Sequence, residues 1–240
     1  MKIGEDYEKI EFEAFGLDLL EPNAFIGDML IAGLAFYALW IFRNTPKDAF
    51  FTNWRRFFFV FGMSFVAGAL GHLMFNYWGI PGKYASWYLG IFSPYFIEQA
   101  MMSVHPEQKT GKLLLKLSNA KLLLALIAET LMLALTDVEA TPTNGLHVVT
   151  ATTSIGLIFS LGYLGVKYEK AIGRPFRYLW YSVLTMIPIL AFQLGKINFF
   201  QWFDRNDVSH VLLFIGVFYY VLGVRAYKDS RPIPTLSPAP

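Results

Sequence analysis

Cysteine is absent from the 240 residues, which excludes disulfides, thiolate metal sites and a cysteine nucleophile. Charge is scarce: charged side chains make up 16% of the chain, against about 25% in an ordinary soluble domain. The formal net charge is only +2 and is dispersed. That is too little for a nucleic-acid surface, so no nucleic-acid partner is expected. Several chemical signatures are also lacking. The sequence has no Gly-rich phosphate loop, HExxH, GxSxG or EF-hand pattern. No lysine falls in the core of the last apolar run, 208–227, which argues against a retinal Schiff base at the usual heptahelical position. The acidic start has no basic stretch leading into an apolar core. A secretory signal peptide is therefore not expected, and the first apolar run is expected to insert by itself.

What is abundant is apolar. Hydrophobic residues reach 55%, with 23 Phe, 13 Tyr and 6 Trp. They concentrate in seven runs, at 24–42, 57–75, 84–102, 121–135, 147–166, 178–194 and 208–227. Most approach the length that spans a hydrocarbon core of about 30 Å at about 1.5 Å per residue. The fourth is the shortest and is expected to draw on Ser118, Asn119 and Thr136. The pattern predicts an all-α polytopic membrane protein, a seven-transmembrane helix bundle over 24–227. An acidic extracytoplasmic segment, 1–23, precedes it, with 4–20 as a short amphipathic element along the outer interface. A flexible cytoplasmic tail, 228–240, rich in Pro and Ser near its end, follows it.

Basic residues give orientation. Arg43, Lys47, Arg55 and Arg56 lie between the first two runs. Lys109, Lys112, Lys116 and Lys121 lie between the third and fourth, Lys167, Lys170, Arg174 and Arg177 between the fifth and sixth, and Arg225, Lys228 and Arg231 in the tail. The opposite side holds Lys2, Lys9, Lys83, Lys196 and Arg205. The positive-inside rule then places the N-terminus outside and the C-terminus in the cytoplasm. An even number of helices would break this alternation. The expected location is a bacterial inner membrane, with an endomembrane as the alternative. Pro94 and Pro188 fall inside helices three and six and predict kinks. Gly62, Ser64, Ala67, Gly68, Ala69 and Gly71 predict a close-packing face on helix two. Trp40, Trp54, Trp78, Trp87, Trp180 and Trp202 lie near helix ends, most of them suited to an interfacial belt. Tyr84, Trp87 and Tyr88 would also suit the wall of a lipid cavity.

With topology set, polar residues collect at one depth. His72 and Asn76 end helix two, and His147 begins helix five. Asn206, Asp207, Ser209 and His210 begin helix seven, while Glu21, Asn23 and Asp28 begin helix one. All lie toward the outer face, as do Asp137 and Glu139 after helix four. Imidazoles with a carboxylate and a water can form a zinc site, whose water would attack the carbonyl of a lipid amide or ester. His72 and His210 are the first ligand candidates and His147 the third. Asp28 and Asp207 would act as catalytic carboxylates or hold a ligand imidazole, and Ser64 would stabilise an oxyanion if it reaches. Each has an ordinary reading too. Asn206–Asp207 would serve as a helix cap, Ser64 as packing or back-bonding, and Asp28 as an interhelical hydrogen bond. Glu98 and Glu129 lie deeper, where an acid is costly. They would line a proton or cation path or a substrate cavity, or make interhelical hydrogen bonds while protonated.

The segments EPNAFIGD at 21–28, SFVAGALGH at 64–72 and NDVSH at 206–210 carry a resemblance. In seven-helix layout and polar positions the chain resembles the CREST superfamily, which includes alkaline ceramidases and progestin/adipoQ-type receptors. The resemblance implies a zinc site in which His72 matches the helix-two ligand and His210 one of two helix-seven ligands, with an aspartate and a helix-two serine beside them. The family's second helix-seven histidine has no counterpart, since the positions four residues away are Asn206 and Phe214. Its serine falls one turn before the helix-two histidine, where this chain has Gly68. Three functions follow as expectations. The first is a zinc-dependent hydrolase acting on a lipid-like substrate. The second is a non-enzymatic heptahelical receptor, lipid-binding protein or subunit bound to partner proteins. The third is a small proton-coupled transporter using Glu98, Glu129 and Asp28. For the last, no inverted repeat is legible.

Overall fold

The computed structural model describes residues 8–141 and 144–230. Residues 142–143 and most of the Pro-rich tail lie outside the described residues.

The chain opens with a β-hairpin, β1 (Glu11–Ala14) and β2 (Leu17–Leu20), paired antiparallel. Its two-residue turn, Phe15 and Gly16, has positive φ at both positions, 54° and 73°. That is the geometry whose twist matches the flanking strands. A hairpin therefore stands where a short amphipathic element is expected from the sequence.

Helices occupy all seven apolar runs. They are α1 (Pro22–Ile41), α2 (Ala49–Leu73), α3 (Tyr84–Ser103), α4 (Gln108–Leu135), α5 (Asn144–Ile172), α6 (Arg177–Gly195) and α7 (Arg205–Asp229). Among the described residues six of these are long and apolar enough to cross a membrane, and α3 is the one below that level. The α3 helix is 20 residues long, but it carries Glu98, Gln99 and three serines. The protein is thus an all-α multi-pass membrane protein. Local signals set several boundaries. Pro22 opens α1, where its missing N–H costs nothing. Asp48 caps α2 by accepting from the Phe51 N–H at 3.1 Å.

Two helices are irregular. The α5 helix widens into a π-helical stretch over Ile158–Tyr163. The α6 helix breaks at Thr185, between Arg177–Leu184 and Met186–Gly195. Pro188 accounts for the break, since it has no N–H to give the carbonyl of Leu184. A third difference concerns α4. The sequence reading makes it the shortest span, yet it is a 28-residue helix. Lys109, Lys112, Lys116 and Lys121 sit on it instead of in a loop.

The helices form a ring. α1 packs on α2, α2 on α3, α3 on α5, α5 on α6, α6 on α7, and α7 back on α1, while α4 lies outside against α3 and α5. Glycines permit the closest approaches. A Cβ at Gly62 would meet the Phe36 ring at 2.7 Å, and one at Gly71 would meet the Gly82 carbonyl oxygen at 2.8 Å. At the basic end the ring is plugged by aromatics. Phe50, Phe51, Trp54, Phe57, Phe176 and Tyr227 are all buried there, with Phe50 and Tyr227 at 4.1 Å between centroids. Trp54 and Trp87 are therefore core residues, while Trp40, Trp78 and Trp202 are exposed as an interfacial belt requires.

Candidate functional site: a cavity with a polar end

Inside the ring lies a cavity of ≈ 380 Å³. Its body is apolar, formed by residues such as Phe61, Phe65, Ile97, Leu157 and Val217. Toward the hairpin its wall carries Asp28, Ser64, His72, Lys83 and Ser86. Such a volume falls at the small end of pockets that hold a ligand.

The wall is incomplete on one side. Leu146, Val149 and Thr153 of α5 line the cavity opposite Met186, Ile189 and Leu190 of α6. Among the described residues these two half-helices have no more than marginal backbone contact with each other. Met186–Gly195 packs on α7 and contains no buried residue. Closer to the basic end, the π-helical stretch of α5 does pack against α6. The seam is therefore confined to the hairpin half of the bundle.

The polar end is built from carboxylate–imidazole pairs. Glu21 is buried and adopts a left-handed backbone, with φ 51°. Its Oε2 lies 2.5 Å from His72 Nδ1, and its Oε1 lies 2.5 Å from Lys9 Nζ. Burial alone would raise the Glu21 pKa. The His72 hydrogen bond and charge, with Lys9 behind them, instead hold it well below the ordinary carboxylate value. Burial likewise opposes charge on Lys9, but Glu21 and Asp204 outweigh it and raise its pKa. Lys9 also reaches Asp204 at 3.3 Å. The Tyr77 hydroxyl accepts from the Asp18 N–H at 2.9 Å, and Asn76 Nδ2 donates to the Asp18 carbonyl at 3.3 Å. These contacts pin the hairpin over the end of α2.

Asp28 sits nearly two turns inside α1 and is buried. His210 Nε2 donates to its Oδ1 at 3.1 Å. The other imidazole nitrogen, Nδ1, is buried without a hydrogen-bond partner among the described residues and abuts Gly27, where a Cβ would come within 2.6 Å. Gly68, one turn before His72, leaves room for Asp28, since a Cβ there would lie 3.1 Å from Asp28 Oδ2.

The other candidates fall elsewhere. His147 is exposed and is not part of the cavity wall. Asp207 Oδ2 accepts from Asn23 Nδ2 and from the Asp204 N–H, both at 2.8 Å, and completes a capping box for α7. Ser64 Oγ donates to the Ser86 carbonyl at 2.9 Å. Glu98 is buried between α3 and α4, ion-paired with Lys121 and accepting from Ser118 Oγ at 2.6 Å. Lys121 also donates to the Thr152 carbonyl at 3.1 Å. Glu129 is buried with neither carboxyl oxygen hydrogen-bonded to a described residue. Neither glutamate lines the cavity. The structure thus brings His72, Asp28 and Ser64 to one cavity end and attaches His210 through Asp28.

Three positions escape the sequence reading as site residues: Glu21, Lys83 and Ser86. Glu21 shares the polar layer named above, and that depth was its only signal. Lys83 is a loop lysine by sequence pattern. Among the described residues no three His, Cys, Asp or Glu side chains are grouped so as to hold a metal ion. His72 and His210 are engaged by different carboxylates, Glu21 and Asp28.

Ring, plug and cavity define a multi-pass helical membrane protein with an internal, laterally open pocket. The chain belongs to the family of unknown function DUF6962, whose match covers residues 24–229. No curated protein and no solved structure matches it.

Proposed function

We propose that this protein binds a single amphipathic chain molecule within the bilayer, admitted sideways through the seam between α5 and α6. The carrying observation is a cavity with a mainly apolar body, ionisable groups gathered at one end, and a wall left incomplete between α5 and α6. Binding asks for nothing beyond those features. The wall of α2, α3, α5, α6 and α7 supplies apolar contact, and Ser64, His72, Lys83 and Ser86 face the polar head.

We place the hairpin face outside and the basic face in the cytoplasm, with α3 as a seventh crossing. Arg43, Lys47, Lys109, Lys112, Lys170 and Arg174 support this orientation.

Hydrolysis of a lipid amide or ester, as the CREST resemblance implies, asks for more. His72 and His210 would have to leave their carboxylate partners to share a zinc, and His147 would have to turn in from the surface. A proton-coupled carrier would need a path joining Asp28, Glu98 and Glu129, two of which lie off the cavity. Both activities therefore rank below binding.

Extraction of protein purified in mild detergent tests the reading. A chain amphiphile is expected in stoichiometric amount. Thr153→Trp, which fills the cavity, is expected to lower it severalfold while the protein stays folded. A lipid-free extract, with no uptake of any added amphiphile, would defeat the proposal.

A further inference from the structure

The cavity's polar end holds a cation, Lys83, with no ion-pair partner among the described residues. Lys83 closes the turn Ile80–Lys83 just before α3 and forms part of the cavity wall. Among the described residues no carboxylate pairs with it, and its ammonium lies over the Phe75 ring, 5.2 Å from the centroid. A cation–π contact offsets only part of the cost of withdrawing an ammonium from water. Accordingly burial, reinforced by Lys9, lowers the Lys83 pKa even though Glu21 and Asp28 act the other way. The two nearby acids are already engaged. Glu21 holds His72 and Lys9, and Asp28 holds His210. The remaining polar wall at this end is hydroxyl, from Ser64 and Ser86.

We infer that the occupant of the cavity carries an anionic head, a carboxylate or a phosphate, which pairs with Lys83 beside the Ser86 hydroxyl while its chain fills the apolar body. This rests on the cavity-binding reading and adds the charge of the ligand. An anionic head supplies the counter-charge that Lys83 lacks. A cationic head would meet Lys83 itself and would find Asp28 and Glu21 already paired. A neutral head would leave the ammonium partly desolvated and unmatched.

The test compares three C16 chains that differ only at the head, palmitate, hexadecanol and hexadecylamine, with hexadecyl phosphate as a fourth arm. Binding is read by displacement of a fluorescent fatty-acid probe from protein in nanodiscs. Palmitate or hexadecyl phosphate is expected to bind on the order of tenfold more tightly than the alcohol, and the amine more weakly than either. Lys83→Gln is expected to abolish the preference by weakening the anion alone. A thermal unfolding midpoint close to that of the wild type reports that the variant is folded. Lys83→Arg is expected to restore most of the preference. The two anionic arms distinguish a fatty acid from a phospholipid-like head. Equal binding of all heads, or a preference that survives Lys83→Gln, overturns the inference while leaving cavity binding intact. Failure of every chain to bind overturns both.

Discussion

At the scale of single residues, the matching of charge can be measured at Glu21 and at Glu98. Glu21 is the clearest case. Its pKa in the folded protein lies below the ordinary 4.5, so its stabilising effect is complete above that value and fades as pH falls below it. Thermal unfolding in detergent is expected to show wild-type Tm falling between about pH 5 and pH 3 more steeply than that of Glu21→Gln. At neutral pH that variant is expected to lose about 1–3 kcal/mol, because His72 and Lys9 lose a shared acceptor. A parallel pH dependence in the two proteins would contradict the assignment. Glu98 and Lys121 allow a second test. Breaking a buried pair from one side leaves the other charge stranded, at a cost of about 3–5 kcal/mol. Glu98→Ala is therefore expected to be more damaging than the double change Glu98→Ala with Lys121→Met. A double-mutant cycle read by urea or thermal unfolding gives the coupling directly.

Among elements, the two irregular helices matter most, because they frame the seam. Pro188 breaks α6 and separates a half that packs on both α5 and α7 from one that packs on α7 and has no more than marginal backbone contact with α5 among the described residues. Restoring the N–H with Pro188→Ala is expected to straighten α6, narrow the seam and slow release of bound amphiphile severalfold. Stopped-flow displacement of a fluorescent probe measures this, and an unchanged release rate would remove the seam from the entry route. The element scale also shows what was readable in advance. Six of the seven runs are apolar enough to be found by hydropathy alone, and Pro188 signalled its break. The small-residue face of α2 likewise announced close packing, seen at Gly62, Gly68 and Gly71. The length of α4 was hidden, because Lys109 to Lys116 look like loop residues although a helix tolerates them on its polar turns. Its Lys121 read as a loop charge for the same reason, whereas Glu98 holds it inside. Of the candidate site, the polar layer at the hairpin end was legible from its place along the apolar runs. Which acid meets which imidazole was not, since Glu21 with His72 and Asp28 with His210 are tertiary pairings across separate helices.

For the whole molecule, orientation and assembly are the outstanding properties. The absence of cysteine makes single-cysteine mapping clean. Phe15→Cys at the exposed hairpin tip is expected to react with a membrane-impermeant maleimide in intact cells, and Lys47→Cys only after lysis. The reverse pattern would invert the proposed orientation. The Glu98–Lys121 pair also bears on biosynthesis. The third helix is the least greasy of the seven and would carry a bare acid if it left the translocon by itself. Its neighbour, joined to it by the four-residue loop 104–107, brings the neutralising Lys121. Partitioning into lipid is thus expected to be a joint event for the two segments. In the proposed orientation a reporter fused after Glu107 is then expected to pass to the hairpin side, whereas a protease site placed at 104–107 of the full chain is expected on the basic side.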